Sequence, residues 1–133
     1  MKSPTGRQDE RSVLLGVSNA MVRIYKEQFG RGPTRARSDW AGPDALLCTL
    51  EDTLTPAERK LVEYGERTRL IETRLFFQHA CEEDFRATVE EITGRTVRSF
   101  VSGTDPATDV SSEVFYFIPE NGSDNGIQNR IGP

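Results

Sequence analysis

Two periodicities of apolar residues meet at Gly30, and this change restricts the chain to a fold that mixes helix and sheet. Before Gly30, apolar residues recur every three or four positions, which predicts an amphipathic helix over residues 9–29. After it, Ala36, Ser38 and Trp40 alternate with charged residues, the pattern of a half-buried strand over residues 34–40. We expect Gly30 to end the helix in the left-handed conformation that glycine tolerates best.

A second strand and two more helices follow. A turn at residues 41–44 leads into the apolar run 45–50, which predicts a central strand paired with the first one as a hairpin. The next helix begins with a capping threonine, a proline at its first position and a glutamate three residues after the cap: Thr55, Pro56 and Glu58. It is expected to end near Gly65, before a long helix over residues 66–93 that Gly94 terminates.

The chain closes with strands predicted at residues 95–101 and 113–118. The polar segment 104–109 between them is too long for a tight hairpin turn. The last strand is apolar on both faces, so it is either central or part of an interface. The order αββααββ lacks strand–helix–strand alternation, which predicts an α+β fold with a four-stranded antiparallel sheet and helices on one face. The pattern leaves the strand order open.

The long helix predicts self-association. Its 28 residues would span about 42 Å, more than the sheet of so small a domain can cover. Apolar residues extend over more than one of its faces, and Phe76 beside Phe77 widens that surface. We therefore expect a two-fold homodimer that buries the apolar surface of this helix that the sheet cannot cover.

The composition of the chain narrows the classes of protein to which it can belong. The 133 residues suit one domain, over residues 9–119, with polar ends at 1–8 and 120–133 expected to be disordered. No apolar run reaches the roughly 20 residues of a membrane span, and the N-terminus lacks the apolar core of a secretory signal. These features predict a cytoplasmic protein without direct membrane insertion. A net charge of −4 argues against a nucleic-acid partner.

No catalytic or metal-binding constellation is evident. His79 and Cys81 are two positions apart, on different faces of a helix, which argues against a catalytic dyad. Cys48 and Cys81 are instead expected to be buried thiols. The acidic residues at 82–84 and 90–91 fan around the helix and predict a solvated, ion-paired face. We therefore predict no enzyme activity, catalytic residue, metal or cofactor.

Residues 30–37, here called the arginine segment, are the candidate binding site. Three arginines lie in a glycine- and proline-bearing turn whose backbone amides and guanidinium groups suit a small anion or an acidic partner surface. The predicted binding residues include two from the wetter side of the first helix: Arg31, Gly32, Thr34, Arg35, Arg37, Asn19 and Arg23. The alternative is a helix cap followed by a solvated strand, with Arg35 or Arg37 paired to Glu51 or Glu113.

Several of these motifs also resemble the MpsC-like family. The resemblance covers about residues 9–119 and is carried by residues 18–20, 25–27, 29–37, 54–58, Phe85, 89–90, 93–95 and 113–115. The most specific piece is the Gly-Arg-Gly-Pro-Thr run from Gly30 to Thr34. Trp40, Cys48 and His79 lie where no family-wide identity is expected.

The resemblance implies an accessory protein of a Na⁺-translocating, membrane-potential-generating system related to inorganic-carbon uptake, and it implies no catalytic residue. The leading hypothesis is therefore a non-enzymatic, cytosolic interaction or regulatory module whose partner is a protein of a membrane transport system. The alternative is a small-anion or nucleotide-binding sensor that uses the arginine segment.

Overall fold

The predicted α+β order is confirmed by a computed structural model that describes residues 6–120. Its elements are α1 (Gly6–Phe29), β1 (Arg35–Trp40), β2 (Ala45–Glu51), α2 (Pro56–Glu63), α3 (Arg67–Thr93), β3 (Val97–Asp105) and β4 (Val110–Phe117). α1 begins at Gly6 rather than at residue 9. Residues 1–5 and 121–133, which hold most of the predicted disordered ends, lie outside the described residues.

The four strands form one antiparallel sheet in the order β1-β2-β4-β3. β1 and β2 make the predicted hairpin, with Ser38 opposite Cys48. β2 and β4 pair at the centre, where Leu46 lies opposite Phe115. β2 is therefore central, as predicted, and β4, for which the sequence allowed a central position or an interface, is central too, whereas β1 and β3 form the two edges.

Alternation along the strands directs one face of the sheet toward the helices. In β4 every second residue from Ser111 to Phe117 is buried, and β2 alternates in the same way. These side chains form the core with α1 and α3, and its buried members include Val17, Met21, Ile24, Leu46, Leu50, Phe85, Val89, Phe115 and Phe117. The other face of the sheet carries no helix among the described residues.

Local signals in the sequence set the helix boundaries as expected. Gly30 and Gly94 follow α1 and α3 with φ of 83° and 71°, and the N–H of Gly30 donates to the Lys26 carbonyl at 3.0 Å. Thr55 caps α2, and Thr55 and Glu58 exchange the two hydrogen bonds of a capping box. Cys48 and Cys81 are free and buried, as predicted, and burial raises the pKa of the Cys48 thiol to about 11.

The connection between the last two strands was predicted wrongly. β3 continues to Asp105 and β4 starts at Val110, so residues 106–109 close an ordinary hairpin. Asp109 makes the tight return possible because it adopts a left-handed φ of 57°, while its N–H donates to the Asp105 carbonyl at 2.9 Å. Aspartate is one of the few non-glycine residues that tolerates this conformation.

Candidate functional site

The arginine segment divides into an anchored part and an exposed part. Arg31 donates from Nη1 to the Leu54 carbonyl at 2.9 Å and from Nη2 to the Asp52 carboxylate at 3.1 Å. These bonds fasten the segment to the loop before α2, and they help hold the pKa of Asp52 below its usual value. Arg31 therefore acts first as a structural tie between distant parts of the chain.

Arg35 and Arg37 are exposed on the outer face of β1. With Thr34, Thr49 and Glu51 they line an open depression of about 440 Å³. Arg37 donates to Asp39 at 3.1 Å. Arg35 lies opposite Glu51 in the strand register, but among residues 6–120 it forms no ion pair.

Glu113 was expected as a possible partner of these arginines, and this expectation is wrong. It is buried on the helix-facing side of β4, whereas Arg35 and Arg37 project from the other side of the sheet.

The other three predicted binding residues lie apart from this depression. Gly32 packs against α1 so closely that a Cβ atom there would lie 3.1 Å from the Val22 carbonyl oxygen. Arg23 reaches Glu27, 3.9 Å away, along α1, and Asn19 is exposed on the same helix. The structure thus brings together Thr34, Arg35 and Arg37 alone from the predicted set.

A second concave site lies where α3 passes over the edge strand β3. The groove has a volume of about 260 Å³, and it is lined by Leu75, Gln78, His79, Glu82, Phe100, Val101 and Ser102. Its opening is partly apolar, since Leu75 is 53% exposed, and His79 and Glu82 add polar side chains. α3 also exposes Ile71, one turn before Leu75, and, at 69%, Phe76, whose ring contacts Phe77. We call the concave site formed by the seven lining residues the α3–β3 groove.

Gln78 is a buried polar residue in the wall of the groove. Its side chain is only 7% exposed, and its Nε2 atom is buried without a hydrogen-bond partner among the described residues. A buried amide donor usually finds an acceptor, because leaving it unpaired costs free energy. The groove therefore offers an unused hydrogen-bond donor beside apolar side chains.

Ser102 connects the floor of the groove to a carboxyl group in the core. Its hydroxyl lies within hydrogen-bond distance of both carboxyl oxygens of Glu113, at 2.6 Å from Oε2, and the Tyr25 hydroxyl lies 3.4 Å from the same oxygen. Burial outweighs these hydrogen bonds and raises the pKa of Glu113 to about 8. The interior beside the groove therefore holds a carboxyl group that is protonated at neutral pH.

Arg74 and Glu58 form a buried ion pair one helical turn before Gln78. Arg74 donates from Nε and Nη2 to the two carboxylate oxygens of Glu58 at 2.6 and 2.7 Å, and from Nη2 to the Thr53 carbonyl at 3.1 Å. Burial opposes the charge of Glu58, but the bonds from Arg74 and Thr55 prevail and keep its pKa below its usual value. The pair fixes the start of α2 against α3.

These buried polar residues were missed in the sequence, although their spacing contains a signal. Glu113 shares the alternation of Phe115 and Phe117 and must therefore face the core with them. Arg74 and Gln78 continue at helical spacing the buried stripe of α3 that contains Leu70 and Cys81. The residue types of these three side chains are typical of the protein surface, whereas their positions in the pattern of buried residues indicate the interior.

The acidic positions of α3 form local contacts. Glu82 accepts from Arg86 at 2.7 Å, and Glu90 accepts the N–H of Val97 at 2.8 Å. Within residues 6–120, no group of three acidic, histidine or cysteine side chains is placed to hold a metal ion. Nor does any helix in this range have the length and apolarity needed to cross a bilayer.

The structure thus defines a small α+β protein with one helical layer on an antiparallel sheet, an anchored arginine segment and an open groove at one sheet edge. Residues 11–118 match the family described as Na⁺-translocating membrane potential-generating system (MpsC), and the chain belongs to this family. No curated protein and no solved structure matches it.

Proposed function

We propose that this protein is a non-catalytic accessory module that regulates a Na⁺-dependent membrane transport system from the cytoplasm, as a homodimer that binds a protein of that system. The observation that carries the proposal is the family membership, because the family description names a Na⁺-translocating system that generates membrane potential. The exposed apolar residues of α3 support an interaction role, since such a cluster typically marks a protein contact.

The link to Na⁺ transport is tested by deleting the gene in its native host. We expect the deletion strain to lose part of its Na⁺-dependent membrane potential, measured with a potential-sensitive dye at low and high Na⁺. The same strain should grow poorly when inorganic carbon is scarce and recover with added bicarbonate. An unchanged potential at both Na⁺ concentrations would refute the proposed role.

The dimer is tested by light scattering on the purified protein. The chain has a mass of 14.9 kDa, and we expect a particle of twice that mass. Phe76→Glu should shift it toward monomer because it places a charge in the exposed apolar surface of α3. Leu15→Glu is the matched control: Leu15 is 62% exposed on α1, away from this surface. A monomeric wild-type protein, or equal loss in both variants, would contradict the assignment.

A second candidate function, anion sensing, is favoured by the depression at Arg35 and Arg37. Arg35 has no ion-pair partner among the described residues, and two guanidinium groups on one strand face suit a carboxylate or phosphate. Thermal melting with phosphate, bicarbonate, nucleotides and cyclic nucleotides should then show stabilisation that Arg35→Gln/Arg37→Gln abolishes. Because both side chains are exposed, the double variant should keep its stability within about 0.5 kcal/mol. Identical melting shifts in the two proteins would exclude this site.

A further inference from the structure

β3 ends the sheet with an edge that is unusually open to another strand. Among residues 6–120, no strand pairs with its outer side. Glu90 and Arg86 bind the N–H and the carbonyl of Val97 at the start of the strand, whereas the outer row of backbone donors and acceptors from Ser99 to Thr104 has no strand partner in this range. Natural edge strands usually prevent such pairing with charges, prolines, β-bulges or a covering segment. In β3 the bulge is confined to the start of the strand, between Val97 and Ser99. The six central residues of β3, 99–104, contain no charge and no proline.

We propose that β3 pairs antiparallel with β3 of a second copy and joins the two four-stranded sheets into one continuous sheet. The inference rests on the proposed homodimer and assigns its interface. A two-fold axis perpendicular to the sheet relates the copies, so the same edge serves both and the helices stay on one common face.

The charges of β3 fit a second copy of the same strand. The charged residues of this strand are Arg98, near its start, and Asp105, at its end. Antiparallel pairing brings the start of one strand beside the end of the other, so each Arg98 approaches the partner's Asp105. Opposite charges on neighbouring strands attract, whereas the uncharged centre introduces no repulsion across the axis.

The apolar pattern on the open face of the sheet points to the same partner. Leu47 lies beside Val114, and Val114 beside Val101, in a row that crosses β2, β4 and β3. The row stops at Val101, which is 55% exposed. A second β3 continues it, because pairing about the strand centre brings the partner's Val101 next to this side chain.

The α3–β3 groove becomes part of the same interface. It opens along the edge of β3, so the added strand would cover it beneath Leu75. That strand carries carbonyl and serine oxygens, which are acceptors for the unpaired Nε2 atom of Gln78. The exposed apolar side of α3 would then face the partner's helix layer, which removes it from water.

The other edge of the sheet does not fit this form of association. β1 has three exposed charged residues within six positions, Arg35, Arg37 and Asp39. Charges of this kind protect an edge strand from pairing. The contrast assigns the contact to β3 and supplies a control position on β1.

The test is disulfide cross-linking of Val101→Cys in the full-length protein under mild oxidation. Cysteines on neighbouring positions of paired strands come close enough to form a disulfide, so we expect most of the variant to run as a covalent dimer without reductant. Arg37→Cys, at an even more exposed position on β1, should remain monomeric on the gel. The wild type gives the background from the buried Cys48 and Cys81.

Each outcome decides the proposal. Equal cross-linking of Val101→Cys and Arg37→Cys would indicate random collision and overturn it. A dimer in light scattering without a Val101→Cys cross-link would overturn β3 pairing but leave the proposed dimer intact, and a monomer would overturn both. Failure of the Na⁺ test alone would leave the β3 contact standing.

A charge exchange provides an independent readout that needs no oxidation. Val101→Lys should weaken the dimer by about tenfold or more because like charges meet across the axis, and Val101→Asp should do the same. Mixing the two variants should restore association as a heterodimer, measured by light scattering. If the mixture associates no better than either variant alone, the two Val101 positions are not neighbours and the proposal fails.

Discussion

The β1 side and the β3 side of this molecule use charged residues in opposite ways. On the β1 side the arginines face water, and Arg37 pairs with Asp39, which is also exposed. On the β3 side the strand centre is uncharged, and the charged and ionisable groups lie inside, with Arg74 and Glu113 both at 1% exposure or less. The exposed charges of β1 protect that edge of the sheet from pairing. The uncharged centre of β3 leaves the other edge open, beside buried polar side chains.

This difference shows where sequence patterns are informative. Exposed charges on a strand alternate with buried residues, so their direction can be inferred from the sequence. A buried charge lies at a core position of its element although its residue type is typical of the surface, and its hydrogen-bond partners explain how it can be buried there. The three predictions below change one side of the comparison at a time.

The largest effect is expected from Arg74→Met, which removes the cation of the buried pair. The carboxylate of Glu58 would lose its charged partner, and such a loss costs about 3–5 kcal/mol. Urea unfolding should therefore show a strongly destabilised protein. Arg74→Met/Glu58→Gln should recover part of the loss because no charge then remains unpaired.

An exposed ion pair provides the control for this prediction. Arg23 and Glu27 form one with side chains 57% and 60% exposed, so Arg23→Met should change stability by less than about 0.5 kcal/mol. A similar loss in Arg74→Met and Arg23→Met would mean that the buried pair has no special role.

Glu113→Gln should change how stability depends on pH. The folded-state pKa of about 8 lies above the ordinary value of 4.5, so between these values the folded protein keeps a proton that the unfolded chain has released. The stability linked to this proton is fully present below pH 4.5 and is lost as pH rises through 8, by up to about 1.4 kcal/mol per pH unit. Glutamine mimics the protonated acid at every pH, so the variant should lack this slope.

The measurement is urea unfolding at pH 5.5, 6.5 and 7.5. The difference in unfolding free energy between Glu113→Gln and wild type should grow in favour of the variant as pH rises. Glu91→Gln, on the exposed side of α3, is the matched control for the change from glutamate to glutamine. A constant difference for Glu113→Gln would show that this carboxyl group is ionised in the folded protein.

The smallest change in stability is expected when alanine replaces either of two glycines on opposite sides of the molecule. Gly32→Ala should cost about 1–2 kcal/mol because its Cβ would press on the Val22 carbonyl of α1. Gly103→Ala, on β3, meets no atom within 4 Å and should be close to neutral in the monomer. Thermal melting of both variants measures the difference, and equal costs would contradict the close approach at Gly32.

The course of the backbone was largely predictable because each boundary has a local cause. Thr55 and Pro56 begin a helix, Gly30 and Gly94 end one, and the alternation of β1 and β2 defines their hairpin. The exception was the last hairpin, where Asp109 takes a left-handed conformation that polar sequence alone did not indicate. The strand order was also not predictable, since it depends on pairing between residues far apart in the chain.

The candidate sites were predictable only in part. Arg35 and Arg37 project as their alternation indicates, whereas Arg31 turned inward because Asp52 and the Leu54 carbonyl lie within its reach. The α3–β3 groove was not predicted, because it forms only where two elements that are separate in the sequence pack against each other. The residue type of Gln78 is typical of the surface, and only its helical spacing with Leu70 and Cys81 indicates that it is buried.

The central pairing of β2 with β4 has a consequence for how the chain folds. Each hairpin closes over a few residues, but residue 45 must find residue 116 across α2, α3 and the second hairpin. Closing so long a segment carries a large entropic cost before any contact rewards it. The two hairpins are therefore expected to form early, and the meeting of β2 with β4 to limit the folding rate. Amide hydrogens of β2 and β4 should consequently be the slowest to exchange with solvent, and those along the outer edge of β1 the fastest in the sheet.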